Sequence, residues 1–212
     1  MLSHLVALVA PPRCALCAGG CRTPRQLCEA CELRLERLPS QRAPVRGLGP
    51  VWSAVPYEGA GRELVAALKF GARLSLAERA AHAMAERAPA ELLDGTIVPV
   101  PPAPWRRRRR GFDPAEAIAV ALAGQAGIPL NRCLRRTQGR RQVGRPRAER
   151  LADPPRVRLV QPPPPRVILV DDVVTTGATL RACARAVHSS GASRVVALTF
   201  ARSGGWHGER LA

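Results

Sequence analysis

The stretch VILVDDVVTTGATL, residues 167–180, combines the pattern of a buried strand with two adjacent acids and a small, hydroxyl-rich turn. The apolar run Val167–Val170 predicts a strand that is buried on both faces, and Asp171 and Asp172 follow it directly. Because ligands bind beyond the carboxyl ends of the strands in an open α/β sheet, we expect both acids to lie at the ligand edge.

The residues after the acids predict an anion-binding turn that leads into a helix. Free N–H groups at a helix start favour an anion, threonine hydroxyls add donors, and Gly177 lets the backbone approach a ligand. A sugar phosphate fits this pattern, with Mg²⁺ and ring hydroxyls at the acids and the phosphate at Thr175, Thr176, Gly177, Ala178 and Thr179. The alternative is a capped strand–turn–helix whose acids are only solvated.

The rest of the chain alternates between helix and strand patterns. Asp113, Pro114 and Glu116 predict the N-cap and first turn of a helix that Gly127 ends, and the arginine-rich residues 135–150 predict a mobile loop. The other predicted elements are helices at 61–70, from Ser75 to near Pro89 and at 178–190, and strands at 96–101, Val157–Val160, Val167–Val170 and Arg194–Phe200. This order predicts an α/β fold with a mostly parallel sheet flanked by helices on both faces.

Five of the seven cysteines lie within residues 14–31, as two Cys-x₂-Cys pairs with Cys21 between them. Each pair can present two thiolates to one tetrahedral ion, which predicts a structural Zn²⁺ site at Cys14, Cys17, Cys28 and Cys31. The alternative is a set of free or disulfide-linked thiols, and Cys21 is either a spare thiol or a substitute ligand. Cys133 and Cys183 lie in apolar surroundings and are expected to be small core residues.

Five consecutive arginines, Arg106–Arg110, lie between the predicted strand 96–101 and the helix that Asp113 caps, and therefore at the same sheet edge as the acids. One or two of these guanidiniums are suited to two-point binding of a pyrophosphate, whereas a basic loop without a defined role is the alternative. Lys69 is the single lysine of the chain, and it suggests either a point charge near phosphate or an ordinary surface residue at a helix end.

The whole of residues 167–180 resembles the 5-phosphoribosyl-1-pyrophosphate (PRPP) motif of the type I phosphoribosyltransferases. Nearly the whole chain resembles the ComF family, competence-associated proteins with the phosphoribosyltransferase fold. That resemblance rests on the cysteine pairs, LVAALKF at 64–70, IVPVP at 97–101, RRRRRGFDPAE at 106–116, and a polar loop with Gln142 and Arg150. It implies a type I phosphoribosyltransferase-like domain at 46–212, preceded at 1–45 by a helix and a small zinc-finger-like module.

The same resemblance implies a site that binds PRPP with Mg²⁺, in which Asp171 and Asp172 hold the metal and the ribose. Arg106 and Arg110 match the pyrophosphate loop, with Gly111 and Phe112 following them. The chain departs from the family pattern at three places, where it has Asp113, Arg145 and Asp153. The family usually has asparagine at the first of these positions.

The formal net charge is +17, from 33 basic and 16 acidic residues. This charge alone does not identify a binding partner. One interpretation is a basic surface that reflects coding bias, and the other is a nucleic-acid partner. Trp52, Tyr57 and Trp206 could stack on its bases unless they lie in the core or at a terminus. A non-catalytic single-stranded-DNA-binding or regulatory module is therefore the alternative to an enzyme. Family resemblance adds DNA uptake and other competence proteins as partners.

Residues 1–12 are apolar but too short to span a membrane, and they predict a short helix that packs on the domain. We expect no membrane span and a cytoplasmic location.

Overall fold

The computed structural model describes residues 13–21, 27–71, 74–103, 105, 111–137 and 155–204. Its helices are α1 (Glu29–Glu36), α2 (Gly59–Gly71), α3 (Leu74–Arg87), α4 (Pro114–Ala126) and α5 (Ala178–His188). Its strands are β1 (Gln41–Val45), β2 (Gly49–Pro56), β3 (Thr96–Pro99), β4 (Leu134–Arg136), β5 (Val157–Leu159), β6 (Arg166–Val174) and β7 (Arg194–Arg202). The expected helix in residues 1–12 lies outside this range.

A five-stranded sheet with the order β1-β2-β7-β6-β3 forms the centre of the fold. The pairs β2–β7, β7–β6 and β6–β3 are parallel, and β1 adds an antiparallel edge to β2. The short strands β4 and β5 form a separate antiparallel pair. The predicted α/β fold with a mostly parallel sheet is therefore confirmed.

The sheet is covered on both faces, because successive side chains of a strand point to opposite sides. On one face Trp52, Ile168 and Phe200 belong to a core shared with α2, α3 and α4. On the other face Val51 and Leu169 belong to a core shared with α5 and the β4–β5 pair. The prediction of helices on both faces of the sheet is thus confirmed. Trp52 is a core residue, since only 1% of its surface is exposed.

Helix α4 begins and ends at the residues that the sequence indicates. The Asp113 side chain accepts a hydrogen bond from the N–H of Ala115, Pro114 takes the first turn, and Gly127 is left-handed at φ 64°. The cap hydrogen bond holds the carboxylate of Asp113 at the start of α4.

Three parts of the strand pattern differ from the sequence prediction. β6 was expected to end at Val170, but it continues to Val174 because β7 continues to Arg202 and pairs with it. β1 and β2 were not predicted, since their prolines and glycine look like turn signals. Residues 135–150 were expected to form a loop, but Leu134–Arg136 pairs with β5; from residue 138 onward the loop lies outside the described residues.

Cys133 and Cys183 are fully buried, which confirms that they are core residues. None of the helices in the described part of the chain is both long and apolar enough to cross a membrane.

Candidate functional site

A cleft of about 390 Å³ opens at the carboxyl edge of the sheet. It is formed by the end of β6 with its following turn, the last turn of α2, the segment after β3 and the start of α4. Polar groups in its lining come from Tyr57, Lys69, Asp113, Arg136, Asp171, Asp172, Thr175 and Thr179. The fold thus brings the acid pair, two threonines of the turn and Lys69 into one cavity.

Asp171 and Asp172 are neighbours in a strand, so their side chains leave it on opposite sides. Asp172 is 9% exposed, and its Oδ2 lies 2.6 Å from the Nζ of Lys69 at the end of α2. Asp171 lies toward α5, and its Oδ1 accepts a hydrogen bond of 2.8 Å from the N–H of Asp172. The two carboxylates therefore line the cleft from opposite faces of the sheet.

The surroundings oppose the ionisation of Asp171. Burial raises the pKa of this carboxyl well above its usual range, and the nearby charge of Asp172 raises it further, although Lys69 acts in the opposite direction. A carboxyl in this position gains from a ligand that brings positive charge or hydroxyl donors. Mg²⁺ and a ribose ring both have this chemistry.

The turn after β6 is built around Gly177, whose φ of 68° is in the left-handed region. A Cβ at this position would lie 2.4 Å from Cγ1 of Val45 in β1, so close packing as well as backbone conformation requires glycine. The hydroxyl of Thr176 lies 3.4 Å from the N–H of Ala178, and its carbonyl accepts a hydrogen bond from Arg181. Thr176, Gly177 and Ala178 shape the turn, while Thr175 and Thr179 line the cleft.

Asp113 is a cleft residue that sequence reasoning identified only as a helix cap. Burial raises its pKa to about 6 against the effect of two backbone N–H donors, and the charges of Glu116 and Asp172 act in the same direction as burial. The one signal in the sequence was that the family which the chain resembles usually has asparagine at this position. Tyr57 and Arg136 also line the cleft, the second from a position expected in a mobile loop.

A second cavity of about 870 Å³ adjoins the cleft. The two share the wall formed by Pro101, Pro102, Asp113 and Arg136. The β4–β5 side of the second cavity carries Arg132, Arg135 and Val160, and α4 adds Glu116, whose Oε1 lies 2.6 Å from the Nε of Arg132. The cleft therefore contains the acid pair and the threonines, and the second cavity has a wall formed largely by arginines.

The expected pyrophosphate residues Arg106 and Arg110 lie outside the described part of the chain. Lys69, the third candidate, lines the cleft and pairs with Asp172. Its position at the C-terminal end of α2 is also favourable for a cation, because the carbonyl end of a helix dipole is negative.

The four predicted zinc ligands form a cluster in which all Sγ atoms lie within 4.8 Å of one another. The Sγ atoms of Cys17 and Cys28 are 3.6 Å apart. Zn–S bonds of about 2.3 Å in a tetrahedron place thiolates roughly 3.8 Å apart, so the cluster fits Zn²⁺. Cys21 is not a member, and its thiol donates to the carbonyl of Leu27 at 3.2 Å.

The backbone around the cluster is arranged for thiolates. Burial opposes ionisation of Cys14, but N–H groups of Cys17, Cys28 and Leu16 lower its pKa to about 6. Burial and the neighbouring thiols raise the pKa of Cys31 to about 12. The donor set and its hydrogen bonds therefore suit a divalent cation.

The cysteine cluster is packed against the main domain. Cys14, Leu27 and Leu35 belong to the same core as the helices α2 and α3. On the surface, the Nε of Arg79 lies 2.5 Å from Glu32, and Arg34 lies 2.7 Å from Glu63.

Comparisons with known proteins give matches among solved structures but not among family models or curated proteins. No family model and no curated protein matches the sequence. The chain is similar to a purine phosphoribosyltransferase from Pyrococcus horikoshii Ot3, at 22% identity and a TM-score of 0.40, over 61% of this chain and 84% of that one.

Proposed function

We propose that this chain is a ComF-like protein whose cleft binds PRPP with Mg²⁺ and transfers the phosphoribosyl group to an acceptor. The observation that carries the proposal is the meeting of Asp171, Asp172, Thr175 and Thr179 in one cavity at the carboxyl edge of parallel strands. The cavity of about 390 Å³ has the size of a small-molecule site. The residues that meet there are those of the motif in residues 167–180.

In the proposed complex, different residues of the cleft bind different parts of PRPP. Asp171 and Asp172 accept hydrogen bonds from the ribose hydroxyls and are the residues that would hold Mg²⁺. The N–H groups and hydroxyls of residues 175–179 donate to the 5-phosphate. Lys69, Arg106 and Arg110 supply positive charge for the pyrophosphate. Bound Mg²⁺ would supply further positive charge against the phosphate oxygens.

The proposed reaction forms a bond from the acceptor's nucleophile to C1 of the ribose and breaks the bond from C1 to the pyrophosphate oxygen. Pyrophosphate leaves with the electron pair of that bond. The fixed dipoles and charges of the cleft stabilise the charge that develops, since they are already oriented before the reaction begins.

Calorimetric titration with PRPP at millimolar Mg²⁺ tests the donor site. The native chain should bind one equivalent, and the double variant Asp171→Asn/Asp172→Asn should lose binding by a factor of about 100 or more, as expected when two charged hydrogen-bond acceptors are removed. Asp94→Asn is the matched control: Asp94 pairs with Arg166 and Arg194 at the opposite end of the sheet. Absence of binding by the native chain would refute the proposal.

We also propose that Cys14, Cys17, Cys28 and Cys31 hold one structural Zn²⁺, on the basis of the sulfur cluster. With all four ligands supplied by the protein, the ion would stabilise the fold and take no part in the reaction.

Single-stranded DNA binding is the second candidate, and the net charge of +17 favours it. Release of counterions makes such binding steeply dependent on salt. Titration with a fluorescent oligonucleotide from about 50 to 200 mM salt should therefore show a loss of affinity of at least tenfold. A flat response, or no binding at the lowest salt, would remove this candidate.

The wider role that we propose follows the ComF resemblance: a cytoplasmic protein that acts with other competence proteins in DNA uptake. Disruption of the gene should lower the frequency of transformation by added DNA. An unchanged frequency would contradict this role without affecting the donor-site proposal.

A further inference from the structure

The two adjoining cavities share one carboxylate among the described residues, that of Asp113. Asp171 and Asp172 line only the first cavity, and Glu116 lines only the second. A group at this boundary faces the first cavity on one side and the second cavity on the other. A carboxylate between two bound reactants would lie within reach of the proton that an attacking N–H or O–H group loses.

Asp113 is held in a fixed orientation by the helix that it caps. One oxygen, Oδ1, lies 3.1 Å from the N–H of Ala115. An ionised carboxylate has about four acceptor sites, so the backbone N–H groups of Ala115 and Glu116 leave capacity for a hydrogen bond to a ligand. Its orientation is set by the backbone of α4, which is the condition for precise positioning of a catalytic group.

The groups that surround Asp113 come from four elements. Asp172 on β6 and Glu116 on α4 disfavour a second negative charge, whereas Lys69 on α2 and Arg136 on β4 line the same cleft with positive charge. Burial and the two acids together raise the pKa of Asp113 to about 6. The carboxylate is therefore ionised at neutral pH but binds a proton more strongly than an exposed aspartate does.

We propose that Asp113 is the proton acceptor of the reaction. The acceptor molecule occupies the second cavity, and Asp113 takes the proton from its N–H or O–H as the new bond to ribose C1 forms. The bond from C1 to pyrophosphate breaks in the same step, and the proton passes from Asp113 to solvent after the product leaves. This inference rests on the proposed function.

The substitution Asp113→Asn separates this role from the structural one, because asparagine caps helices as well as aspartate does but cannot take the proton. Pyrophosphate release from Mg²⁺-PRPP should be measured between pH 5 and 8 with water, adenine, hypoxanthine, uracil and orotate as acceptors. The native rate should rise with pH through about 6 and then level off. The variant should be slower by about two to four orders of magnitude, without that rise.

PRPP affinity, measured by calorimetry on the same samples, distinguishes the two proposals. Asp113→Asn should bind Mg²⁺-PRPP within a few fold of the native chain, and Asp94→Asn should match the native chain in both assays. Equal rates for the native chain and Asp113→Asn, with PRPP bound by both, would overturn the role of Asp113 alone. A native chain that binds PRPP but releases no pyrophosphate with any acceptor would also overturn it, and failure to bind PRPP would overturn both proposals.

Discussion

At the scale of single residues, the cleft depends on charged groups that are buried or closely paired. Asp113 is the clearest case, since it combines a capping hydrogen bond with burial beside Asp172. Lys69 and Asp172 are the second case, a close pair with side chains 18% and 13% exposed. These residues give two predictions about stability that can be measured without a bound ligand.

Folding should become less favourable as pH rises through the range in which Asp113 ionises. The folded state holds this proton up to a pH of about 6, whereas the unfolded chain releases it near the ordinary value of 3.8. Between these values the folded state binds more protons, so stability decreases as pH rises. Asp113→Asn should therefore gain stability relative to the native chain between pH 4 and 7, by at most about 3 kcal/mol.

Urea denaturation at pH 4, 5, 6 and 7 checks this prediction, with Asp94→Asn as the control for an exposed aspartate. A stability difference between Asp113→Asn and the native chain that stays constant with pH would show that Asp113 ionises normally.

Replacing Lys69 by methionine should destabilise the protein, because the carboxyl group of Asp172 is then left without its ion-pair partner in a largely enclosed cleft. Loss of one member of a buried pair costs about 3–5 kcal/mol, and partial exposure here reduces the expected loss to about 1–3 kcal/mol. Lys69→Arg retains the charge and should lose less. Urea denaturation without Mg²⁺ and PRPP measures both variants, and native stability for Lys69→Met would contradict the importance of the pair.

At the scale of elements, the sequence predicted those parts of the fold in which local signals and tertiary structure agree. Helix α4 is such a case, because cap, proline and glycine all act within its own residues. β1 and β2 were missed because sheet pairing stabilises them against their turn-like composition. The extension of β6 to Val174 likewise depends on β7, which no local pattern in residues 167–174 reveals.

The residues of the candidate site likewise fall into those that the sequence predicted and those that it did not. The acid pair and the turn are contiguous in sequence, so one motif could predict them. Asp113, Tyr57 and Arg136 reach the cleft from distant segments of the chain, so no local motif could predict that they meet there. The close approach of Val45 to Gly177 could not be predicted either, since β1 itself was not.

Gly177→Ala should destabilise the protein by about 1–3 kcal/mol, because alanine is strained at φ 68° and its Cβ would overlap Val45. The added substitution Val45→Ala should relieve the overlap but leave the backbone strain, giving partial recovery. Gly124→Ala in α4 is the control: its Cβ meets nothing within 4 Å, and it should stabilise the helix by about 0.5–1 kcal/mol. Thermal unfolding of the three variants tests this, and a neutral Gly177→Ala would contradict the packing described.

At the scale of the whole molecule, the cysteine cluster and the sheet domain share a core. Cys14 and Cys31 are each 2% exposed and pack with residues of α2 and α3. A metal that organises the cluster would therefore stabilise α2, whose last turn carries Lys69 into the cleft. The division at residue 45 stays a prediction, although β1, just before it, pairs with β2 in the main sheet.

Purified protein should contain one zinc per chain, and its removal by a strong chelator should lower the melting temperature of the whole domain. Cys17→Ser should have the same effect, because a hydroxyl is a poor zinc ligand. Cys21→Ser is the matched control, since Cys21 lies outside the cluster. Elemental analysis with thermal unfolding measures both, and substoichiometric metal in a fully folded protein would contradict the zinc site.

Hydrogen exchange measured by mass spectrometry, with and without PRPP at millimolar Mg²⁺, tests the central claim most directly because it locates the ligand on the chain. Bound PRPP should slow exchange in peptides that cover residues 171–180 and the end of α2, and Asp171→Asn/Asp172→Asn should abolish that protection. Exchange unchanged in these peptides at saturating PRPP, or protection confined to other parts of the chain, would contradict a donor site built on Asp171, Asp172 and the turn that follows them.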